Sequence, residues 1–397
     1  MNLLLQIFFW LSVFALFHSY LLYPVLLRWF TRGKKNNQIV FGEDEKEALP
    51  NLYILMAAYN EEKVIEEKLQ SIFETDYPIE KLQIWIGSDN STDSTNKILA
   101  QYAQKYDCFH WHNFEGRNGK IRIINQLHDF IAPKLQTEDI LILTDANVFF
   151  TPSTLFQLAK HYKNPKVGVV AANILNLDVK EAGISFQEKW YIQRENSVKY
   201  LEGIWGGCMM GAFGAAYALK ASLFERVPEN FIVDDFYLTL KAIEKKGLSI
   251  KEPQAVCYED VSDDIFEEFR RKKRISAGNF QNLHAFAHLT HPRKGKVAFC
   301  FWSHKVLRWL GSFFMLIAFF CSLILAAQNH FYALLLYLEV AICAIPLLDY
   351  LLKKINIHSK ILRFITYFQL MNIALFLGFF NYLNGIKSNV WRPTKRN

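Results

Sequence analysis

The 397-residue sequence predicts an α/β domain with a doubly wound, mostly parallel sheet, joined at both ends to membrane-spanning helices. Two observations predict this fold class. Short apolar runs of strand length alternate with amphipathic helical stretches through the first half of the polar middle, as βαβ units require. Long apolar runs lie at the two ends of the chain, and each approaches the roughly 20 residues that a bilayer-spanning helix needs.

The first apolar run, Leu3–Leu27, contains no Lys, Arg, Asp or Glu and predicts a retained membrane anchor over residues 1–27. A secretory signal peptide is the alternative, but no positive segment precedes the run and no small-residue cleavage pattern follows it. Basic residues follow at once, namely Arg28, Arg32, Lys34 and Lys35. The positive-inside rule then predicts a multi-pass protein of the inner membrane, with its polar domain (42–296) facing the cytoplasm.

A C-terminal membrane region is predicted over residues 304–386, followed by a basic tail at 387–397. Its apolar runs are Val306–Ala327, Phe331–Leu352 and Phe364–Leu383. Four spans in total would put the tail outside, against the rule that orients the first helix. Either the last run is interfacial or re-entrant, or the tail is an exception, and the sequence leaves both open.

The charged residues exclude two other classes of function. The formal net charge is +7, and its basic clusters flank apolar segments, which indicates contact with anionic lipids and not with nucleic acid. Glu339 and Asp349 are too few polar groups for a transporter, and we expect them inside the helix bundle or at the interface. The six cysteines are scattered, so in a cytoplasmic domain they are expected to be reduced, without disulfide or metal roles.

The first half of the polar domain carries the parallel sheet. Its predicted strands are Asn51–Tyr59, Leu82–Gly87, Phe109–Asn113, Ile140–Leu143 and Lys166–Ile174. Its predicted helices are Lys63–Phe73, a stretch that Ser91-Thr92-Asp93 caps and that runs to about Tyr106, and a stretch from the Gly116–Lys120 turn to Ile131. Capping residues and first-turn acids support these helix starts.

The second half of the polar domain is less regular. Its predicted helices are Ser185–Leu201, Phe236–Lys246 and Phe266–His288. Its predicted strands are Ala215–Leu219 and Gln254–Tyr258, and a glycine-rich and methionine-rich stretch, Gly206–Gly214, leads into the first of these.

Acidic residues stand at four positions along this domain, namely Asp89, Asp145, the pair Asp234–Asp235 and the pair Glu259–Asp260. Asp89 and Asp145 come just past the C-terminal ends of predicted parallel strands, where open α/β sheets bind their ligands. Two carboxylates at such a place suit a nucleotide and the metal ion that neutralises its phosphates. Each alone also fits a helix cap or a turn, so the prediction rests on their order beside membrane runs.

The residue types match the needs of a reaction on a nucleotide sugar. Asp89 can accept hydrogen bonds from a base or a ribose, and Asp145 and Asn147 can face one hard cation from a single turn. Lys120 and the arginine-rich stretch Arg270–Arg274 can meet phosphate oxygens. A carboxylate at the start of the Phe236 helix can act as a general base toward an acceptor hydroxyl.

The chain resembles membrane-bound glycosyltransferases of family 2, the group of cellulose-, hyaluronan- and poly-N-acetylglucosamine-synthase-like enzymes. The matching segments are AAYNEEKVIEEKLQSI, IGSDNSTDST, GRNGKIRIINQL, LTDANVFF, GAFGAAYALK, IVDDFYLTLKAIEKKG, RRKKRISAGNF and the tail WRPTKR. The likeness runs from about Leu52 to Asn279. It implies a GT-A fold, which is Rossmann-like with a mostly parallel sheet, and a divalent cation, Mg²⁺ or Mn²⁺.

The resemblance also implies roles for individual residues. Nucleotide contacts are implied for Ala58, Tyr59, Glu61 and Asp89, and Lys120 joins them on the chemical grounds given above. Asp145 and Asn147 occupy the D-x-D metal position, and Asp235 occupies the position of the catalytic base. The expected contacts to the diphosphate or acceptor are Asp234, Arg271, Arg274, Trp205 and Gly211.

The sequence departs from the family pattern at two places. The second acid of D-x-D is Asn147, which offers a neutral oxygen to a metal ion. The Q-x-x-R-W motif of processive members keeps its arginine as Arg274, but Ile275 replaces the tryptophan that stacks under the acceptor sugar. We therefore expect short products, or a chain held by another aromatic ring, with Trp205 as the first candidate and Trp302 as the second.

The predicted function is inverting, metal-dependent transfer from a nucleotide sugar, a UDP-sugar by preference, to a polysaccharide or a lipid-linked acceptor at the cytoplasmic membrane face. Two alternatives stay open. One is transfer of a single sugar to polyprenyl phosphate or another lipid. The other is a catalytically silent subunit that binds nucleotide sugars. Membrane lipids and membrane partner subunits complete the expected partners.

Overall fold

The computed structural model describes residues 2–177, 184–260 and 264–386, and the predicted basic tail and the side chain of Asp260 lie outside them. The chain divides into two compact units. The sheet unit comprises Phe30–Asp178, Tyr191–Val261 and Ile386–Asn397, and the helical unit comprises Met1–Trp29, Val179–Trp190 and Ser262–Gly385.

Eight strands form one sheet in the order β3-β2-β1-β4-β7-β6-β8-β5. They are β1 (Leu52–Ala58), β2 (Leu82–Ser88), β3 (Phe109–Asn113), β4 (Ile140–Thr144), β5 (Val148–Phe150), β6 (Val167–Leu177), β7 (Ala216–Lys220) and β8 (Leu248–Asp260). The α-helices are α1 (Asn2–Phe17), α2 (Tyr23–Phe30), α3 (Ile65–Phe73), α4 (Thr95–Lys105), α5 (Lys120–Ile131), α6 (Thr154–Ala159), α7 (Ser185–Gly206), α8 (Asp234–Glu244), α9 (Ile265–Ala285), α10 (Lys296–Cys300), α11 (Leu307–Trp309), α12 (Gly311–Ala326), α13 (His330–Lys354) and α14 (Lys360–Leu383).

The first half of the sheet is parallel. Strand β1 pairs in parallel with β2 and β4, and β2 pairs in parallel with β3. All seven residues of β1 and all five of β4 are buried. Both faces of such central strands are covered, which explains their unbroken apolar runs. The C-terminal ends of β1, β2 and β4 therefore meet at one edge of the sheet, which confirms the predicted fold class.

The second half of the sheet is mixed. Strand β7 runs antiparallel to both β4 and β6, whereas β6 and β8 are parallel. Strand β5 has three residues, pairs antiparallel with β8 and was not predicted. Strand β8 is longer than predicted. Its register with β6 shifts around Pro253, because a proline cannot donate a ladder hydrogen bond. That shift hid the first part of β8, Leu248–Glu252, from the sequence pattern.

Three helical segments in the described part of the chain are long and apolar enough to cross a bilayer. They are Asn2–Phe30, His330–Lys354 and Lys360–Leu383. A fourth results if Lys296–Trp309 and Gly311–Ala326 are one broken span, since these meet at 61°. The predicted run Val306–Ala327 is thus bent near its start, where Leu310 leaves helical geometry with φ −85° and ψ 1°.

The two acidic side chains of α13, Glu339 and Asp349, each contact a polar side chain of a neighbouring helix. Asp349 accepts a 2.8 Å hydrogen bond from Nε of Arg363, and both residues are buried. Glu339 accepts a hydrogen bond from Ser322. Pairing of this kind offsets the cost of burying charge between apolar helices. These contacts fit the expected structural role of Asp349 and Glu339 inside the bundle.

Candidate active site

Strand β4 ends at a short turn that carries Asp145 and Asn147. The backbone N–H of Asp145 donates to the carbonyl of Ala215, which precedes β7, over 3.2 Å. Nδ2 of Asn147 lies 3.4 Å from Oε1 of Glu259 on β8, so the amide oxygen of Asn147 is left to face elsewhere. Two neighbouring strands thus fix the turn, and both of its side chains can present oxygen atoms.

Lys120 lies at the first position of α5 and joins Asp145 of the turn after β4 to Asp234 of α8. Its Nζ lies 2.7 Å from Oδ1 of Asp145 and 3.7 Å from Oδ2 of Asp234. Burial lowers the pKa of Lys120, but the carboxylates of Asp145 and Asp234 raise it by more, and the net shift is upward. The ammonium therefore stays charged and holds these acidic groups together.

Asp235 is the half-buried neighbour of Asp234 in the first turn of α8. Its Oδ1 accepts a 2.6 Å hydrogen bond from the backbone N–H of Phe236. Burial and the charge of Asp234 raise its pKa to about 6, although Lys120 and Lys199 oppose the shift. A carboxylate with this pKa is ionised at neutral pH and is more basic than an ordinary aspartate, as a general base requires.

The glycine-rich stretch 206–214 is attached to the start of α8. Thr239 accepts a hydrogen bond from the N–H of Ala212 and donates one to the carbonyl of Asp235, over 3.0 and 2.7 Å. Gly211 has φ +83°, and a Cβ there would lie 2.3 Å from the ring of Phe236. Glycine is therefore required at this position by both its conformation and the lack of space.

The carboxylate of Asp89 organises the loop before α5. It accepts hydrogen bonds from Nε of Arg117 and from the backbone N–H groups of Asn118 and Gly119, over 3.0, 2.6 and 3.1 Å. The Arg117 guanidinium carbon lies 3.2 Å from the centroid of the Tyr59 ring. The three bonds leave Asp89 little remaining capacity to accept further hydrogen bonds, so its effect on a ligand passes partly through this loop.

The other residues expected at the nucleotide lie at the same sheet edge. Ala58 is the last residue of β1, and its carbonyl accepts a 2.8 Å hydrogen bond from the N–H of Asp89. The N–H of Glu61 donates to Oγ1 of Thr95 at the start of α4. Tyr59 and Glu61 are therefore held where β1 meets the following loop.

The side-chain oxygen atoms at the β4 turn suit a divalent cation that a bound diphosphate helps to hold. Among the described residues, no group of three or more His, Cys, Asp or Glu side chains is placed to hold a metal ion. The turn offers one carboxylate, Asp145, and one amide oxygen, Asn147. Mg²⁺ is commonly bound by one or two carboxylates together with substrate phosphates, so a diphosphate would have to complete such a site.

The residues at this sheet edge lie in a segment that matches a known protein family. Residues 53–221 match the family model described as Glycosyl transferase family 2, and this segment contains β1 to β7 with Asp89, Lys120 and Asp145. These residues form a family 2 glycosyltransferase domain. The predicted recognition is thereby confirmed, and Asp234 and Asp235 lie just beyond the matched residues.

Relatives of the glycosyltransferase domain include two kinds of synthase. The poly-β-1,6-N-acetyl-D-glucosamine synthase of Staphylococcus epidermidis is 22% identical over 283 residues, which cover 68% of this chain and 66% of the relative. The β-monoglucosyldiacylglycerol synthase of Nostoc is 32% identical over 136 residues, 34% of this chain and 28% of the relative. The chain therefore spans less than two thirds of the length of these relatives.

One solved structure resembles nearly the whole chain. It is the mannosyltransferase PcManGT of Pyrobaculum calidifontis in complex with GDP-Man and Mn²⁺, with a TM-score of 0.70 and 22% identity. The likeness covers 96% of this chain and 99% of the other. At this identity it supports the shared GT-A fold, helices included.

Three of the predicted site residues, Trp205, Arg271 and Arg274, belong to helices α7 and α9. Trp205, near the end of α7, stacks on Phe30 with ring centroids 4.9 Å apart. Arg271 and Arg274 belong to α9 of the helical unit. There Arg271 lies 3.3 Å from Glu268, as part of a network that also includes Lys272 and Glu188. Their expected roles toward a diphosphate or acceptor remain predictions.

The structure adds functional candidates that the sequence did not reveal. Lys199 of α7 lies 3.3 Å from the ring centroid of Phe213 and lowers the pKa of Asp235 by its charge. Tyr217 of β7 is fully buried, and its hydroxyl has no hydrogen-bond partner within the described chain. Lys68 of α3 is fully buried below the β4 turn, and burial lowers its pKa to about 7. The hydrophobic periodicity of the sequence does not distinguish such positions from ordinary core residues.

Proposed function

We propose that this protein is an inverting, metal-dependent glycosyltransferase that uses a nucleotide-sugar donor. The observation that carries the proposal is the Lys120 ammonium, which lies between Asp145 and Asp234 with Asp235 beside them. This arrangement supplies a cation for phosphate oxygens, oxygen ligands for a metal ion, and a base of raised pKa within one group. The PcManGT complex with GDP-Man and Mn²⁺ supports the assignment of the donor and the metal.

The positions of Asp235, Lys120 and Asp145 suggest the following course for the reaction. Asp235 accepts the proton of the acceptor hydroxyl while the hydroxyl oxygen attacks the anomeric carbon from the side opposite the diphosphate. The bond between that carbon and the diphosphate oxygen breaks, and the configuration inverts. Lys120 stabilises the departing nucleoside diphosphate. Asp145 and Asn147 would hold Mg²⁺ or Mn²⁺, which would neutralise the charge of the diphosphate when bound.

A donor screen tests the proposal. The full-length protein in detergent would be incubated with Mn²⁺ and one donor in each reaction. The donors are UDP-glucose, UDP-N-acetylglucosamine and GDP-mannose, and the released nucleoside diphosphate would be measured. We expect release with one donor class, dependent on added acceptor glycan or lipid extract. The Asp235→Asn variant serves as the matched blank. Release from no donor would contradict the proposal and favour a silent binding subunit, whereas equal release from wild type and Asp235→Asn would show that Asp235 is not the base.

The acceptor is a polysaccharide or a membrane lipid at the cytoplasmic face. The polysaccharide is supported by the likeness to the N-acetylglucosamine polymer synthase. Transfer to a lipid is supported by the likeness to the glucosyldiacylglycerol synthase and by Ile275, which offers no aromatic face to a sugar. Retention of Asp145, Asp235 and Arg274 together argues against a silent subunit.

Product length is expected to depend on Trp205. Its indole stacks on the ring of Phe30 with centroids 4.9 Å apart, and an indole offers the flat apolar surface on which a sugar ring can stack. Trp205→Ala is expected to shorten the product, because the growing chain would dissociate sooner between additions. Gel or mass analysis of the products would measure this, with Trp302→Ala as the comparison. Long polymer from wild type and Trp205→Ala alike would contradict the role of Trp205.

A further inference from the structure

Lys68 is a buried lysine on the apolar side of α3. It shares that side with Ile65, Leu69 and Ile72, and all four side chains are fully buried. Transfer of an ammonium group from water into a protein interior costs several kcal/mol unless its hydrogen bonds are made again. A methionine would fill a similar space without this cost, so packing alone does not explain a lysine here.

The ammonium of Lys68 contacts both ends of the turn that carries Asp145 and Asn147. Its Nζ donates to Oγ1 of Thr144 over 3.0 Å, just before the turn, and to the carbonyl of Val148 over 2.5 Å, just after it. The ring of Phe150 lies 3.5 Å from the same nitrogen. One side chain therefore joins β4 to β5 underneath the two oxygen ligands.

Thr144 extends this connection to the neighbouring strand. Its hydroxyl donates to the carbonyl of Ala215 over 2.8 Å, which leaves its oxygen lone pairs to accept from Lys68. The N–H of Asp145 donates to the same carbonyl. The turn is thus held from below by Lys68 and from the side by the residue before β7, and its outer face is left to Asp145 and Asn147.

We propose that Lys68 is a positioning residue of the donor site, which holds the Asp145–Asn147 turn so that its carboxylate and its amide oxygen face one cation. The inference rests on the proposed function, since it presumes that a metal ion and a nucleotide diphosphate bind at this turn. A neutral asparagine contributes less attraction than a second carboxylate, so the site depends more on geometry. Partners behind metal ligands commonly change metal affinity about 10- to 100-fold when they are lost.

Lys251 provides a matched control. It is also a buried lysine of the sheet unit, and its Nζ donates to the carbonyl of Ala172 over 2.6 Å. Burial lowers its pKa to about 7, as it does for Lys68. Its contact lies on β6 and not at the β4 turn. Lys251→Met therefore removes the same chemical group from a comparable environment and leaves the turn intact.

The test uses the full-length protein in detergent and UDP as the probe, with GDP in its place if the donor screen identifies a GDP-sugar. Mn²⁺ would be titrated at fixed UDP by calorimetry for wild type, Lys68→Met and Lys251→Met, and melting temperatures would be recorded without ligand. We expect Lys68→Met to weaken Mn²⁺-dependent UDP binding by about 10- to 100-fold, and Lys251→Met to leave it unchanged. In turnover assays, Lys68→Met should raise the Mn²⁺ concentration needed for half-maximal rate and keep most of kcat at saturating Mn²⁺.

The outcomes separate the two proposals. Wild-type protein that binds neither UDP nor GDP in the presence of Mn²⁺ would overturn the metal-dependent donor site, and the role of Lys68 with it. Wild-type binding that Lys68→Met retains, or that both lysine variants lose equally, would overturn the role of Lys68 alone. If Lys68→Met does not fold, Thr144→Val removes one acceptor of the ammonium and is expected to weaken Mn²⁺ binding in the same direction. Unchanged affinity in Thr144→Val would then overturn the inference.

Discussion

Asp235→Asn is expected to lower the rate of sugar transfer by about 10²- to 10⁴-fold, the usual contribution of general-base catalysis. The variant keeps the shape of the side chain and removes its basicity. Binding of the nucleotide is expected to change little, because Lys120 bonds directly to Asp145 and not to Asp235. The measurements are turnover with the donor that the screen identifies, and UDP affinity by calorimetry. Asp234→Asn is the control.

The pH dependence of the wild-type transfer rate is a second test of Asp235 as the base. Asp235 accepts a proton only when it is ionised, and burial next to Asp234 raises its pKa to about 6. Transfer measured as kcat/KM should therefore fall as the pH is lowered through about 6, and Asp235→Asn should lose this acidic limb. Wild-type turnover in Asp235→Asn would assign the base to Asp234 instead.

Asp145→Ala is expected to have the second largest effect. It removes the carboxylate that we propose as a metal ligand at the β4 turn, which is also the closest partner of Lys120. Mn²⁺-dependent binding of the donor should weaken at least as much as it does on loss of a supporting residue, which is about 10- to 100-fold. Calorimetric titration of UDP with and without Mn²⁺ would measure the change, and affinity without metal should change far less.

Asn147→Asp is the companion of this experiment. A second carboxylate should tighten Mn²⁺ binding if the side chain at 147 is a ligand, because the attraction to the cation increases. Equal affinities for wild type and Asp145→Ala at every metal concentration would remove the metal ion from this turn. An unchanged affinity in Asn147→Asp would restrict the metal site to Asp145.

The sequence predicted the parallel half of the sheet well, because its strands are continuous apolar runs followed by polar loops. Ala58 ends such a run, and Asp89 and Asp145 come directly after one, so their place at one sheet edge could be derived from the alternation of strands and helices. The antiparallel course of β7 could not be derived, since a short apolar run carries no information about its direction. Strand β5 has three residues, too few to show a period.

The site itself was only partly predictable. The pair Asp234–Asp235 resembles any acidic helix start, and its place beside Lys120 depends on contacts between residues more than 100 positions apart. Lys68 carried a usable signal: it occupies a position three residues after Ile65 and four before Ile72, on the buried side of an amphipathic helix. A charged residue on such a side is a reason to look for partners. Nothing in the pattern distinguished Tyr217 from a core residue.

The order in which the chain visits its two units limits how the protein can be shortened. Removal of residues 1–29 and 262–397 would still leave the segment 179–190, which belongs to the helical unit but lies between two parts of the sheet unit in the sequence. Glu188 in that segment is buried and contacts Lys272 and Tyr367, and both would be lost. A buried carboxylate without its partners costs about 3–5 kcal/mol. Trimming the ends should therefore yield aggregated protein by size-exclusion chromatography, and a soluble version would also need a polar replacement for 179–190.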